Sequence, residues 1–169
     1  MNTIGTQENV HDQLVALVPR LRRFARNLAR NHDDADDVVQ IALERALENW
    51  AQWRSDARLD SWLFKIVRNA WIDEVRSRTR RNKVFVAEES GEKVGIDVME
   101  RAADVMSVQS AMARLPEDQR TAVSLVLVEG LPYKEAADVL DIPIGTLTSR
   151  LARARAALQT LLEAEGDRR

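Results

Sequence analysis

The 169-residue sequence predicts an all-α protein, with two small helical domains joined by a flexible acidic linker. Three observations predict this. Apolar residues recur at three- and four-residue steps over most of the chain, the period that lays one stripe of an α-helix against a core. Helix-start and helix-stop residues, Pro116, Gly130, Pro132 and Pro143, fall between the periodic stretches. One segment, VFVAEESGEKVGID, loses the period, gains two glycines and turns acidic, as a linker does. These breaks place a first domain at 10–83, the linker at 84–105 and a second domain at 106–165.

The first amphipathic helix runs from about His11 to Arg30, with Leu14, Leu17, Leu21, Phe24 and Leu28 on its stripe. Pro19 interrupts it, as a kink or a late helix start. NHDDADD then supplies a cap and an acidic first turn for a second helix, which carries Val39, Ala42, Leu43, Ala46, Leu47 and Trp50 inward. After a polar loop at 52–58, Asp60 or Ser61 caps a third helix, DSWLFKIVRNAWIDEVRSRTRR. Its apolar coverage, from Trp62 round to Val75, is wide enough to be touched on more than one side. In the second domain a helix from near Met99 to Leu115 precedes PEDQRTAVSLVLVEG, YKEAADVLD and a last helix entered through Pro143-Ile144-Gly145. SLVLV has the composition of a strand, but its flanking start and stop signals make it a buried helix.

Composition excludes several chemistries. There is no cysteine, hence no disulfide, thiol nucleophile or cysteine-ligated zinc. His11 and His32 stand in no metal-spaced cluster, so neither a metal nor a cofactor is expected. Glycine-rich phosphate loops and catalytic constellations are missing as well. The expectation is a protein that is not an enzyme and has no small-molecule substrate. No window approaches the roughly 18 unbroken apolar residues of a membrane span, and MNTIGTQENVHDQL lacks the runs of a secretory signal. No membrane insertion and a cytoplasmic location follow as expectations.

The net charge of −2 conceals opposed patches. Arg68, Arg76, Arg78, Arg80, Arg81 and Lys83 outnumber Asp73 and Glu74 on the third helix. Beyond it Glu88, Glu89, Glu92, Asp97, Glu100 and Asp104 outnumber Lys93 and Arg101. A basic stripe of this kind is the electrostatic footprint of nucleic-acid binding.

The last helix sorts its arginines by angle. At about 100° per residue, Leu147, Leu151, Ala154 and Leu158 share an arc of about 60°, the core stripe. Ser149, Ala152, Arg153 and Ala156 lie opposite, three small residues and one long cationic arm. Arg150 and Arg155 flank them about 140° apart, with Thr146 and Thr148 alongside. Small and hydrogen-bonding groups with one arginine suit base edges in a major groove, and flanking Arg and Thr suit phosphates. With YKEAADVLD before it and Ala136-Ala137 allowing close packing, the pair forms a helix-turn-helix.

On the third helix Lys65, Arg68, Asn69 and Arg76 project within about 100° of one another. With Trp53, Trp62 and Trp71 nearby they fit a platform where cations track a backbone and aromatics meet bases. The same tryptophans serve equally as core. The loop QWRSDAR beside this helix is where an unstacked base could be held. On the second helix Asp37, Gln40, Glu44 and Glu48 share an arc of about 80°, a solvated face or a docking ridge for a basic partner.

Together DDADDVVQIALERALENW, DSWLFKIVRNAWIDEVRSRTRR and LPEDQRTAVSLVLVEGLPYKEAADVLDIPIGTLTSRLARARAAL resemble the extracytoplasmic-function (group four) sigma factors of bacterial RNA polymerase. The resemblance runs from about Val15 to Leu162. HDQLVALVPRLRRFARNLARN and SWLFKIVRN are similar to the alphaproteobacterial general-stress subgroup. It implies that the first domain is sigma region 2, with three or four helices, and the second is sigma region 4. It further implies three surfaces. Asp36, Asp37, Val38, Val39, Gln40, Glu44 and Glu48 would dock core RNA polymerase at the clamp helices of its largest subunit, with the flap as a second contact. Gln52, Trp53, Arg54, Ser55, Asp56 and Arg58 of the loop, with Lys65, Arg68, Asn69, Asp73, Arg76, Arg80 and Arg81, would recognise and melt the promoter −10 element. Thr148, Ser149, Ala152 and Arg153 would read the −35 element, with Thr146, Arg150 and Arg155 on phosphates. Gln40-Ile41-Ala42 departs from the family's usual Gln-Glu followed by a bulky residue, and QWRSDAR lacks the glycine common in that loop.

The function implied is promoter-specific initiation, in a stress response and under an anti-sigma factor that clamps the two domains in a compact arrangement. Two alternatives stand beside it: a stand-alone helix-turn-helix regulator, and a sigma mimic that sequesters an anti-sigma factor.

Overall fold

A computed structural model of the protein describes residues 4–54, 56–85 and 108–166. Seven α-helices account for most of them: α1 Ile4–Ala29, α2 His32–Glu48, α3 Leu59–Phe85, α4 Val108–Ala113, α5 Glu117–Val123, α6 Tyr133–Leu140 and α7 Ile144–Gly166. No strand occurs among the described residues. The linker and the Met99 helix start fall outside them, so α4 is seen only from Val108.

Three helices build the first lobe. α1 is continuous through Pro19, which sits on the exposed side, where water can serve the carbonyl that loses its donor. Arg30 closes α1 at φ 64. Asn31 then caps α2, its Oδ1 accepting from the Asp34 N–H at 2.8 Å, and Asp33 and Asp34 sit at the positive end of the helix dipole. The core joins Leu21, Phe24 and Leu28 of α1 to Val38, Val39 and Ala42 of α2 and Leu63, Phe64 and Val67 of α3. Phe24 and Phe64 meet edge to face at 5.1 Å between ring centroids.

The expected inward set needs two corrections. Leu47 is 58% exposed, because the stripe of α2 is Ala35, Val38, Val39, Ala42 and Ala46, and Leu47 lies about 100° off its last member. Val75 is also exposed, about 80° round the helix from Val67 in the middle of the buried stripe of α3. Neither Asp60 nor Ser61 is the residue before α3. The helix begins at Leu59, and the Asp60 carboxylate instead accepts from the Ser61 N–H at 2.8 Å within the first turn.

The second lobe packs α5 and α6 against α7, with Leu125, Leu131, Val139, Leu140, Leu147 and Leu151 buried between them. SLVLV is helical, as its flanks require, but wider than an α-helix. Ser124–Val128 forms a π turn, in which the Glu129 N–H donates to the Ser124 carbonyl at 2.9 Å, five residues back. Gly130 ends it at φ 72, a left-handed position that favours glycine. Ala136 and Ala137, both buried, let α6 approach closely. Asp141 leaves α6 at φ 53, and Pro143 leads into α7, giving the turn of a helix-turn-helix.

The lobes are not held apart. α6 lies along α3, and α5 with the π turn rests on α1. α3 is therefore covered on two sides, as its wide apolar girth predicts.

Candidate nucleic-acid interface

The outer face of α7 carries the residues that angular placement assigned to it. Leu147, Leu151 and Ala154 are buried, whereas Thr148, Ser149, Ala152, Arg153, Arg155 and Ala156 are exposed. The Thr148 hydroxyl donates to the Ile144 carbonyl at 2.9 Å and the Ser149 hydroxyl to the Gly145 carbonyl at 3.0 Å, which fixes both rotamers and leaves their oxygens able to accept. The flanking arginines differ from one another. Arg155 is exposed, with one N–H directed at the Tyr133 hydroxyl at 3.3 Å. Arg150 is half-buried and pairs with Asp118 of α5 at 3.3 Å. Thr146 is half-buried beside it. Arg153 is the long cation of the outward face.

The loop before α3 turns on carboxylates. A 3₁₀ turn at Trp50–Gln52 leads into it, with Gln52 Nε2 donating to Asn49 Oδ1 at 2.9 Å. Arg54 chelates Asp56 at 2.8 and 3.1 Å on the surface. Ser55 lies outside the described residues. Arg58 chelates Asp60 at 2.8 and 3.1 Å, and Arg20 of α1 reaches the same carboxylate at 3.0 Å. Burial alone would push the Asp60 carboxyl up, but the hydrogen bonds from Arg58 and Arg20 outweigh it and hold the pKa at about 2. Trp50 packs on Trp53 at 5.1 Å and on Trp62 at 6.0 Å between centroids, so these rings form a cluster under the loop.

Along α3, Lys65, Asn69, Arg76 and Arg80 are exposed. Asp73 holds Arg45 of α2 at 2.8 Å, and Arg81 reaches Glu74 at 3.2 Å. Arg68 is half-buried in a cavity of about 400 Å³ between the lobes, with Trp71, Asp118, Leu140 and Arg150 among its walls. Burial there lowers the Arg68 pKa, and the Asp141 charge opposes this.

The acidic face of α2 is a shallow groove lined by Asp37, Gln40, Ile41 and Glu44, with Glu74 and Arg78 of α3 as its wall. Arg78 bridges the helices, chelating Asp34 and donating to Glu74 at 2.7 Å. Those partners hold Arg78 above the ordinary arginine pKa and push Asp34 below the usual carboxylate range. Asp36 pairs with Arg22 at 3.4 Å, and Gln40 donates to Glu44 at 3.2 Å. Asp37 and Glu48 stay exposed. Val38 and Val39 are buried in the core; Val38 reaches the floor of this groove, and Val39 supports it from beneath.

Sequence reasoning missed Glu129. Its side chain is fully buried at the lobe boundary, where Arg20 Nε donates to it at 3.1 Å and Arg23 Nε and Nη2 at 2.6 and 2.9 Å. Its carbonyl accepts from Arg20 Nη2 at 2.8 Å. The signal available was a lone carboxylate closing an apolar run, SLVLVE, with no cation within four residues before it.

Among the described residues no group of His, Asp or Glu could hold a metal, and no helix is long and apolar enough to cross a membrane.

Comparison with known proteins bears on all three faces. The family model for sigma-70 region 2 matches residues 14–81, and that for sigma-70 region 4 matches 106–158. An ECF RNA polymerase sigma factor of Rhodopseudomonas palustris, EcfG, is 37% identical over 161 residues, covering 94% of this chain and 88% of its own. SigM of Mycobacterium tuberculosis is 38% identical over 146 residues, covering 85% and 71%. Among solved structures, the Bartonella quintana sigma factor RpoE, crystallised with the anti-sigma factor NepR, aligns with a TM-score of 0.76 at 31% identity, covering 92% of this chain and 98% of that one.

Proposed function

Because this chain belongs to the extracytoplasmic-function sigma factors of the sigma-70 family, we propose that it is a dissociable specificity subunit of RNA polymerase. In this reading it binds core enzyme through the groove of α2, melts and reads the −10 element with the 52–58 loop and α3, and reads the −35 element with α7. It works in the cytoplasm with the polymerase and does no chemistry of its own. Its resemblance to EcfG and to the NepR-bound RpoE supports a stress-response factor under an anti-sigma factor.

The observation that carries the reading is the outward face of α7. Ser149, Ala152, Arg153 and Ala156 are exposed, on the second helix of a helix-turn-helix, in a chain whose other lobe carries a separate basic surface. Two DNA-facing surfaces and an acidic docking face are what a promoter-reading subunit needs, whereas a stand-alone regulator needs only one.

A reconstituted run-off assay tests this. Initiation from a cognate promoter should appear only when core polymerase and the chain are both present. Tight, sequence-specific duplex binding by the chain alone, without core-dependent initiation, would instead make it a conventional regulator. Within the holoenzyme, Arg153→Ala should alter −35 preference by about 1–3 kcal/mol at one or two positions. Arg155→Ala should weaken all promoters alike and lower the salt slope by about one.

A further inference from the structure

We propose that the free chain shuts itself: Glu129 latches the second lobe onto α1, and the carboxylates of α6 and the turn after it then stand beside Arg58, Lys65 and Arg68 of the −10 surface in place of a DNA backbone. The inference rests on the −10 reading above for what is hidden, but not for the closure itself.

The latch is built as a buried, saturated site. A carboxylate with no exposed side-chain surface accepts three guanidinium N–H bonds from two arginines of the other lobe, and its backbone carbonyl accepts a fourth. Arg20 is itself held in place, over the Phe64 ring at 5.4 Å and on Asp60 at 3.0 Å. Two further contacts flank it. Asn27 Nδ2 donates to the Ser124 hydroxyl at 2.8 Å, and Arg120 Nε donates to the Asn27 carbonyl at 2.6 Å. All of these join the α5–π segment to α1, and none lies on the outward face of α7.

With that hinge side fixed, α6 falls along α3. Glu135 and Asp138 stand three residues apart on α6 and so share one side of it, and Asp141 follows directly on the end of the helix. Each has a cation opposite. Glu135 is close enough to reinforce the charge of Arg58, which its chelation of Asp60 already favours. Asp138 and Asp141 share the walls of a cleft of about 480 Å³ with Lys65. Asp141 opposes the loss of charge that burial imposes on Arg68. A row of carboxylates along Arg58, Lys65 and Arg68 follows the path a phosphate backbone would take, so closure and −10 binding compete for the same cations.

Asp60 links the two ends. It accepts from Arg20, the latch arginine, and from Arg58, a −10 loop residue. A phosphate that draws Arg58 away leaves Arg20 the one cation on Asp60, and so shifts Arg20 off Glu129. Engagement of the loop thereby loosens the latch.

The chain has no cysteine, so introduced cysteines at Ala51 and Ala113, both exposed and on different lobes, take spin labels at those two sites alone. Pulsed electron–electron distance measurements on the full chain, without DNA or polymerase, should give one short, narrow distribution. Glu129→Gln, and separately Arg20→Ala/Arg23→Ala, should each move at least a third of the population to longer distances, with helical content by circular dichroism unchanged. A wild-type distribution already broad and long, or variants matching the wild type, would overturn the latch and leave the run-off test of the −10 reading untouched. The second arm neutralises the cover: Glu135→Gln/Asp138→Asn/Asp141→Asn, with asparagine chosen because it tolerates the left-handed position at 141. Without core enzyme it should bind a fluorescent single-stranded −10 oligonucleotide about tenfold more tightly than the wild type in low salt. No gain in a variant whose holoenzyme still initiates at the promoter would overturn the occlusion.

Discussion

The two helices proposed to face DNA are differently placed. α7 presents Ser149, Ala152 and Arg153 to solvent, while α3 has Arg68 half-buried between the lobes and Lys65 on a cleft shared with Asp138 and Asp141. Both carry cations at helical spacing, and a helical wheel would rank α3 the more basic. The difference is tertiary. α7 is the last layer of its lobe and its outer face meets nothing, whereas α3 is the central helix of the whole fold. A wide apolar girth brings neighbours, and in this chain one of those neighbours is acidic. Charge on a helix surface therefore reports what the helix can bind, and only packing decides when.

The largest change to this contrast should come from Arg120, because it belongs to both halves of the closure. It is 2% exposed, its Nη1 donates to the Leu115 carbonyl at 2.9 Å within its own lobe, and its Nε donates to the Asn27 carbonyl of α1. Burial lowers its pKa, but two carbonyl acceptors depend on it. Arg120→Ala should cost about 3 kcal/mol or more in chemical denaturation, from two unpaired buried acceptors plus a side-chain void. It should expose α3 as well. Arg120→Lys, which keeps the charge but loses the fork, should recover only part of this.

Asp60 comes next. Its folded pKa of about 2 lies below the ordinary 3.8, so its ion pairs stabilise the fold fully above pH 4, and that contribution is lost as pH falls towards 2. The difference amounts to about 2 kcal/mol. The groups facing it are Arg58 from the loop and Arg20 from α1, both charged throughout that window, so the loss belongs to the carboxylates. Urea midpoints measured from pH 6 to 2.5 should fall more steeply for the wild type than for Asp60→Asn. An equal slope in both would show that Asp60 is not the group titrating.

The contrast also marks what the sequence could and could not reveal. On α7 the buried and exposed positions followed from a 100° step, because a long helix on the outside of a lobe hides one face against its neighbours and leaves the other to solvent. The π turn could not be seen that way. SLVLV has four apolar residues in succession after Ser124, so no period distinguishes an α-helix from a wider turn, and the extra residue is set by how Leu125, Leu131 and Glu129 must all reach inward. Leu47 failed for a related reason, since in an alanine-rich stripe a single leucine beside it has no periodic weight. The Glu129 latch was illegible because its partners, Arg20 and Arg23, stand more than 100 residues away and look like ordinary surface arginines on α1. Residue types pointed to three surfaces; their mutual cover came from contacts of long range.

The smallest expected effect sharpens the exposed side of the comparison. Arg150 and Arg155 flank the same face, yet Arg150 is tied to Asp118 at 3.3 Å and Arg155 only to a phenol. The Asp118 pair is partly exposed, so it is worth at most about 1 kcal/mol. Asp118→Asn releases Arg150 and removes a carboxylate from the first turn of α5, where it interacts favourably with the helix dipole. Stability should drop by a few tenths of a kcal/mol. Holoenzyme affinity for promoters should rise by roughly threefold, irrespective of −35 sequence, since a freed phosphate contact carries no base information. Combined with Arg150→Ala, that gain should vanish. If it persists, Asp118 acts on DNA directly through its own charge, and the two flanks of α7 are equivalent after all.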